Sequence, residues 1–271
     1  MNRTTGPHAL LKSLTCHNRS LLQPAFTLIE LLITVAVIAI LLSLLLPATL
    51  RAKSGARQAR CRHNVHQLGL GLAQFTADNH VYPLAINKAF LNGGYPEHHF
   101  DWIEALEYNG LSASRNSRFY EEGVWRCPSA SRPSEFPDQW RYGSYGYNAF
   151  GMTAMRRPQA GDLVSGAPLD LLGLGGHTRT PPGISPLPIS ETEVAQPSGM
   201  MAIGESFSGS MDFIPIYGYR LYDPHQGKVN VLFCDGHVES PSVKALFVDT
   251  NDTALSRWNR DNQAHRECLA P

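Results

Sequence analysis

An uncharged apolar run close to the N-terminus sets the strongest limit on how this chain can fold. The 20 residues from Leu31 to Leu50 carry no charge, and Glu30 directly precedes them. A helix of this length, rising about 1.5 Å per residue, would be roughly 30 Å long, which matches the hydrocarbon core of a bilayer. A secretory signal peptide has a shorter apolar core, of about 7 to 15 residues, without a glutamate. The run therefore predicts a transmembrane helix over residues 26–50.

Glu30 and Pro47 are unusual residues for such a helix. A carboxylate near the start of a membrane span is costly unless a partner neutralises it. An ammonium group that has also lost its hydration would be a suitable partner. Pro47 removes one helical hydrogen bond and clashes with the preceding turn, which predicts a kink or local melting. A proline that is simply tolerated within a membrane helix is the alternative.

The sequence AFTLIELL, which begins at Ala25, resembles the cleavage and methylation signature of type IV prepilins and type II secretion pseudopilins. The resemblance implies that a prepilin peptidase removes residues 1–25 by cutting between Ala25 and Phe26, and that Phe26 is then N-methylated. It also implies that Glu30 pairs with the N-terminus of a neighbouring subunit and that Pro47 belongs to an assembly helix. Ala25 stands where most members of these families carry glycine.

The helical pattern continues beyond the membrane segment. Four apolar residues recur three or four positions apart and form one stripe: Val65, Leu68, Leu72 and Phe75. Asn79 and Pro83 then supply stop signals. We therefore expect residues 51–78 to form the soluble half of the N-terminal helix and to pack this stripe against the domain that follows.

Residues 79–271 are rich in glycine, proline and aromatic residues, and short apolar runs alternate with turn residues. This pattern favours strands and loops over helices. Residues 200–203 and 228–234 predict buried strands, and residues 163–188 predict a long surface loop. A helix and a sheet each have one apolar face that must be covered. We therefore expect an α+β, pilin-like fold in which the long helix packs on a small antiparallel sheet with long loops.

The dipeptide Asp235-Gly236 directly follows the second predicted strand. Asp-Gly is typical of a tight hairpin turn, so residues 237–240 should return antiparallel to that strand. Side chains of a strand alternate between its two faces, so Val229, Val231 and Phe233 should share one face of the sheet and Leu232 should lie on the other.

A second resemblance involves the segment HQGKVNVLFCDGHV, in which nine residues separate His225 from Asp235-Gly236. It is similar to the C-terminal motif of a large family of bacterial prepilin-like proteins of uncharacterised role. Other recurrent segments of that family correspond here to CRHN at Cys61, CPS at Cys127 and WNRD at Trp258. The resemblance spans nearly the whole mature chain and implies no proven activity. His225 and Asp235 could form an acid–base pair, although an aspartate before glycine is more often a turn residue.

Five cysteines are present: Cys16, Cys61, Cys127, Cys234 and Cys268. None forms a Cys-x-x-Cys pair or has a zinc-like spacing to histidine, so we expect no structural zinc site. Loss of Cys16 with the leader would leave four, which allow either three disulfide connectivities in an exported domain or four buried thiols. We favour Cys61–Cys127, because Cys61 lies on the long helix and Cys127 begins a loop that must dock against it.

Signals for catalysis and for metal binding are weak. The segment GESFSG, which begins at Gly204, fails the Gly-x-Ser-x-Gly pattern because Ser208 occupies the final glycine position, so we expect no enzyme. Asp249, Asn251 and Asp252 offer the oxygen ligands that calcium prefers but lack the spacing of an EF-hand. They are weak calcium candidates, and we expect no other cofactor.

Charge argues against nucleic acid as a partner and leaves the topology in conflict. The leader holds three of the 23 basic residues and none of the 23 acidic ones, so the mature chain would carry 20 against 23, a net charge of minus three. Nucleic-acid binding needs a concentrated basic surface.

Five basic residues follow the apolar run, at Arg51, Lys53, Arg57, Arg60 and Arg62. The positive-inside rule would place the large domain in the cytoplasm, whereas the prepilin signature implies the periplasm.

These patterns favour a pilin-like subunit or pseudopilin that is anchored in the inner membrane by one helix. Its large domain would lie in the periplasm or on an extracellular filament, and its partners would be prepilin peptidase and other pilin-like subunits. The alternative is a membrane-tethered binding or carbohydrate-recognising domain that never polymerises and whose exposed tyrosine and tryptophan residues form the contact surface. Glu30 separates the two, because a tether has no use for a charge within its span.

Overall fold

A single long helix, α1 (Leu28–Asn79), begins just after the predicted cleavage position. The computed structural model describes residues 26–85, 101–108, 123–130, 144–156, 171–177, 187–206 and 225–269. The predicted leader, with Ala25 and Cys16, lies outside them. A capping box starts the helix: the N–H of Glu30 donates to Oγ1 of Thr27 over 3.3 Å, and the N–H of Thr27 donates to Oε2 of Glu30 over 2.9 Å. Helical structure continues through Pro47, so the local melting expected there does not occur.

The first part of α1 has the properties of a membrane span. Among the described residues, α1 is the one helix long and apolar enough to cross a bilayer, judged by length and composition. Its large apolar side chains from Phe26 to Leu50 are all exposed in the isolated chain. The chain divides into two compact units, Met1–Thr49 and Leu50–Pro271, and the first unit holds most of this apolar segment.

The second part of α1 packs on the soluble domain through the predicted stripe. Val65, Leu68 and Leu72 are buried, and Phe75 is partly buried against the same cluster. The helix ends at Asn79, where His80 adopts a left-handed backbone conformation with φ 58° and its N–H donates to the carbonyl of Thr76 over 2.8 Å. The predicted soluble helix and its apolar face are therefore confirmed.

Four short strands form an antiparallel sheet in the described part of the chain. They are β1 (Tyr145–Tyr147), β2 (Met201–Glu205), β3 (Val231–Phe233) and β4 (Val238–Glu239), and they pair in that order. The hairpin between β3 and β4 turns at Asp235-Gly236, as predicted, and Gly236 has a φ of 92° that favours glycine. The long helix and this sheet confirm the pilin-like α+β fold.

The two faces of the sheet enter different apolar clusters. Leu232 packs with α1, and the approach is so close that a Cβ built on Gly69 would lie 2.6 Å from Cδ1 of Leu232. The opposite face carries Val229, Val231 and Phe233, as alternation predicted. It is covered by two short helices, α3 (Val243–Phe247) and α4 (Asp252–Ser256), which follow the hairpin. A further helix, α2 (Asp101–Tyr108), contributes Trp102, Ile103 and Leu106 to the cluster around α1.

The prediction of a surface loop over residues 163–188 is wrong for residues 171–177, whereas Leu187, in the other described part of this stretch, is 58% exposed. Leu171 and Leu174 are buried. Gly173 lies so close to the backbone of Ala149 that a Cβ there would come within 2.5 Å of its carbonyl. Glycine at this position allows the backbone of residues 171–177 to pack directly against the backbone at Ala149. Composition alone does not distinguish such a buried segment from a surface loop. Residues 163–170 and 178–186 lie outside the described residues.

Candidate functional site

A disulfide joins the long helix to the segment after the short 3-10 turn Gly123–Trp125. The bond links Cys61 to Cys127, with 5.0 Å between their Cα atoms, so the favoured pairing is confirmed. One turn further along the helix, Nδ2 of Asn64 donates to the carbonyl of Arg126 over 2.8 Å. The disulfide and this amide together hold the segment around Cys127 against α1.

A buried acid–base pair lies beside this disulfide. Nε2 of His225 is 2.7 Å from Oε1 of Glu205 and 3.4 Å from Sγ of Cys127. Glu205 ends β2, and two-residue alternation places it on the same face as Ile203, which packs in the cluster around α1. We call Cys61, Cys127, Glu205 and His225 the Cys–His–Glu cluster, and all four residues are buried.

The segment that carries His225 is anchored at both ends. The side-chain amide of Gln226 donates to Oγ of Ser54 on α1 over 3.1 Å. The N–H of Val229 donates to the carbonyl of Pro241 over 3.0 Å, just before β3 begins. Sequence position alone does not reveal that this segment passes next to the end of β2.

The carboxylate of Glu205 is held by more than the histidine. The N–H of Asn230 donates to Oε2 over 2.8 Å, and Nδ2 of Asn230 donates to Oε1 over 3.2 Å. Oγ of Ser240 in turn donates to Oδ1 of Asn230 over 2.7 Å. A carboxylate out of water is tolerated only with such partners, because each missing hydrogen bond costs about 1–3 kcal/mol or more.

Tyr145 reports on the electrostatics of this region. It pairs with Glu205 across β1 and β2, and its hydroxyl lies 3.5 Å from the carbonyl of Cys61. Burial raises the pKa of Tyr145 well above its ordinary value, and the negative charge of Glu205 raises it further. The cluster therefore lies in a low-dielectric environment, where charges interact strongly.

The Cys–His–Glu cluster also has the composition of a metal site. One ligand atom from each residue can be chosen so that all four lie within 4.8 Å of one another. Two sulfurs, one imidazole nitrogen and one carboxylate oxygen form a ligand set that suits zinc. The sequence prediction of no zinc site relied on spacing, and the tertiary structure brings these four side chains together from distant positions.

The favoured interpretation of Asp235 as a turn residue agrees with the structure, and the alternative acid–base pair of His225 with Asp235 does not form. Oδ1 of Asp235 lies at the hairpin turn, where it accepts from the N–H of His237 over 3.2 Å and lies 2.5 Å from Nδ1 of the same residue. These contacts are those of a turn residue, and His225 pairs with Glu205 instead. Glu205 was not predicted as a site residue, although a charged residue at the end of the apolar run MMAIG was a visible signal.

The three calcium candidates are engaged separately. Oδ1 of Asp249 lies 2.8 Å from Nζ of Lys244, and Oδ1 of Asp252 lies 2.7 Å from Nε of Arg266. Asn251 caps the N-terminus of α4. Each residue thus has a local structural role in the described part of the chain.

The WNRD segment at Trp258 ties the C-terminal region to the rest of the domain. Oδ1 of Asn259 accepts from the N–H of Met152 over 2.9 Å, and Nη1 of Arg260 donates to the carbonyls of Leu171 and Gly173. These bonds satisfy backbone groups in irregular segments, which supports a structural role for residues 258–261.

The aromatic residues that the tether alternative needed on the surface are instead in the core, as far as they are described. Trp102, Trp125 and Trp258 are buried, and so are Tyr82, Tyr145 and Tyr147. Trp102 stacks on Tyr147 with 5.5 Å between ring centroids and meets Trp125 edge to face at 5.7 Å. The expectation that they form an exposed contact surface is wrong for these six residues, because five of them pack in the cluster around α1 and Trp258 packs in the cluster on the opposite face of the sheet.

Comparison with known protein families gives a match at the N-terminus. The family described as the prokaryotic N-terminal methylation motif matches residues 22–46, which include Phe26, Glu30 and most of the apolar run. Searches of the curated proteins and of the solved structures gave no significant match. Residues 22–46 therefore carry the N-terminal methylation motif, which is the signal of type IV pilins and pseudopilins.

Proposed function

We propose that this chain is a pilin-like or pseudopilin subunit that assembles through α1 into a type IV pilus-like or type II secretion pseudopilus filament. Prepilin peptidase cuts between Ala25 and Phe26, and Phe26 becomes the N-methylated first residue. The observation that carries the proposal is the methylation motif over residues 22–46, with Glu30 at the start of a 52-residue helix. Other pilin-like subunits are then its partners.

The capping box explains how an isolated subunit tolerates Glu30. Both the N–H and the hydroxyl of Thr27 donate to Oε2 of Glu30, over 2.9 and 2.8 Å. In the described part of the chain no hydrogen bond to Oε1 of Glu30 is present, so that oxygen remains for the methylated amine of a neighbouring subunit. In a bilayer, meeting that amine compensates the lost hydration of both groups.

The inner membrane, with the large domain in the periplasm, is the location we propose. The disulfide supports this placement, since such bonds form in oxidising compartments outside the cytoplasm. The basic residues after the span are not all membrane-facing anchors, because Nη2 of Arg62 donates to the carbonyl of Val238 over 3.1 Å. A reporter fused after Pro271 that is active only in the cytoplasm would contradict this topology.

The function is tested by separating the charge of Glu30 from its capping role. Glu30→Gln keeps an oxygen acceptor for Thr27 but removes the charge, whereas Thr27→Ala removes the cap and keeps the charge. We expect Glu30→Gln and Glu30→Ala to abolish filaments in the envelope fraction and Thr27→Ala to retain them. Mass spectrometry should show that every variant begins at a methylated Phe26, which controls for processing.

Three results would contradict the proposal. A wild-type chain that keeps Met1, or begins elsewhere than Phe26, would exclude prepilin processing. Filament assembly by Glu30→Gln at the wild-type level would show that the charge has no role in assembly. A correctly processed wild-type chain that never enters filaments would instead support the membrane-tethered domain.

A further inference from the structure

We infer that Cys61, Cys127, Glu205 and His225 bind one Zn²⁺ ion when the two cysteines enter the folded domain as thiolates instead of as a disulfide. The four side chains are thus a site with two alternative covalent states, one cross-linked by the S–S bond and one by the metal. This inference is independent of filament assembly, because it concerns only the soluble domain.

Two edges of the cluster can be compared directly with those of a tetrahedral zinc site. Zinc–sulfur bonds of about 2.3 Å and zinc–nitrogen bonds of about 2.0–2.1 Å imply a sulfur–nitrogen edge of about 3.5 Å. Sγ of Cys127 and Nε2 of His225 are already 3.4 Å apart. The edge between nitrogen and carboxylate oxygen should be about 3.3 Å, and Nε2 of His225 lies 2.7 Å from Oε1 of Glu205.

The largest change required is the separation of the two sulfurs. Two zinc-bound thiolates lie about 3.8 Å apart, so the S–S bond must be absent and each side chain must turn away slightly from the other. The Cα atoms of Cys61 and Cys127 are 5.0 Å apart, so rotation about the side-chain bonds can supply most of this separation. The other ligand atoms need smaller shifts, since all four lie within 4.8 Å of one another.

Charge gives a second reason. All four residues are buried, so the two thiols would lose their protons there only together with metal binding, and the two thiolates with the carboxylate of Glu205 carry a charge of minus three. A divalent ion lowers that charge from minus three to minus one. A disulfide by itself needs no acid–base pair beside it, and apolar residues in place of a buried ion pair are often equally stable or more stable.

The surroundings of Glu205 resemble the outer shell that orients metal ligands. Asn230 donates to both carboxylate oxygens and is itself held by Ser240. Hydrogen bonds of this kind fix the direction of a ligating carboxylate. They would remain in place when Oε1 exchanges its contact with His225 for a bond to the metal.

The chemistry of the two states balances with a dithiol as reductant. Two electrons from the dithiol convert the S–S bond to two thiols, and the reductant becomes a disulfide. Zinc binding then releases the two thiol protons. Because Cys61 and Cys127 are buried, a reductant does not reach the bond in the folded domain, so the state is chosen while the chain folds.

The test uses the full chain in detergent. The chain is unfolded in denaturant with a dithiol, freed of both without air, and refolded with or without Zn²⁺, while a second sample is refolded in air. We expect about one zinc per reduced chain and none in the oxidised chain. Co²⁺ in place of zinc should give thiolate-to-cobalt charge-transfer absorption. This absorption tests thiolate coordination in the wild-type chain, without any substitution.

The variants locate the ion. Cys127→Ser and His225→Gln should each weaken zinc binding by more than the roughly 10- to 100-fold typical of losing an outer-shell partner. Cys234→Ser is the matched control, since Cys234 is a thiol outside the cluster and burial raises its pKa to about 12, which keeps it protonated. It should bind zinc like the wild type.

Several results would overturn the inference. One is a reduced wild-type chain that regains its tryptophan fluorescence but binds no stoichiometric zinc. Another is a cobalt complex without thiolate absorption. A third is zinc binding by the oxidised chain, or by reduced Cys127→Ser, that equals binding by the reduced wild type. Failure of the reduced chain to refold even with zinc present would also count against it, because the ion should replace the missing cross-link.

Discussion

Leu68 is the position at which the packing of helix on sheet can be tested most directly. Its side chain is completely buried in the cluster that also holds Leu232. The neighbouring Gly69 lies against Leu232 so closely that the helix cannot move inward to fill a gap. We expect Leu68→Ala to destabilise the soluble domain strongly.

The magnitude follows from the atoms removed. Leucine to alanine deletes three carbon atoms, which loses about 2.4 kcal/mol of transfer free energy at about 0.8 kcal/mol per buried methylene. The cavity that remains adds to this, and Leu→Ala changes in closed cores cost about 3–5 kcal/mol in total. Leu72 borders a groove of about 450 Å³ that Thr76 and Tyr82 also line, so Leu72→Ala should cost less, about 2 kcal/mol.

The assay is denaturant unfolding of the detergent-solubilised chain, followed by tryptophan fluorescence. Trp102 and Trp125 lie in the same apolar cluster as Leu68, so their emission reports on this part of the core. Leu70→Ala is the matched control, because Leu70 is on the same helix but 54% exposed, and it should change stability by no more than about 0.5 kcal/mol. Equal effects of Leu68→Ala and Leu70→Ala would refute the packing of α1 on the sheet.

Two further predictions concern the cross-link and the pH dependence. The double change Cys61→Ser/Cys127→Ser, in metal-free buffer, should cost about 4 kcal/mol by freeing a loop of 66 residues in the unfolded chain, and an unchanged denaturation midpoint relative to the oxidised wild type would contradict this. Burial by itself lowers the pKa of His265, but hydrogen bonds to Asp261 and Glu267 outweigh it, so the folded pKa lies above 6.5. The raised pKa of His265 stabilises the folded domain, and this stabilisation is fully present below pH 6.5 and is lost as pH rises through the folded pKa. In His265→Gln the urea midpoint should no longer show this decline with rising pH. A pH profile of the variant parallel to that of the wild type would exclude the contribution.

The sequence by itself determined the elements whose signals are local. A stripe of apolar residues every three or four positions predicted the soluble part of α1, and Asp235-Gly236 predicted the β3–β4 turn. The methylation motif was readable for the same reason, because its residues are contiguous and a peptidase recognises them in sequence. Alternation also assigned Leu232 to the opposite face from Phe233, since side chains of a strand point to alternate sides.

Only the tertiary structure decided what lies next to what. Cysteine spacing left three disulfide connectivities open, and the favoured pair, Cys61–Cys127, was fixed only by the packing of a loop on α1. The turn position of Asp235 was predicted from the sequence, but the partner of His225 was not, because strand pairing brings Glu205 to the histidine from another strand. The partner of a buried charge depends on long-range strand and helix contacts, whose free energy is shared over many residues and leaves no periodic trace in the sequence.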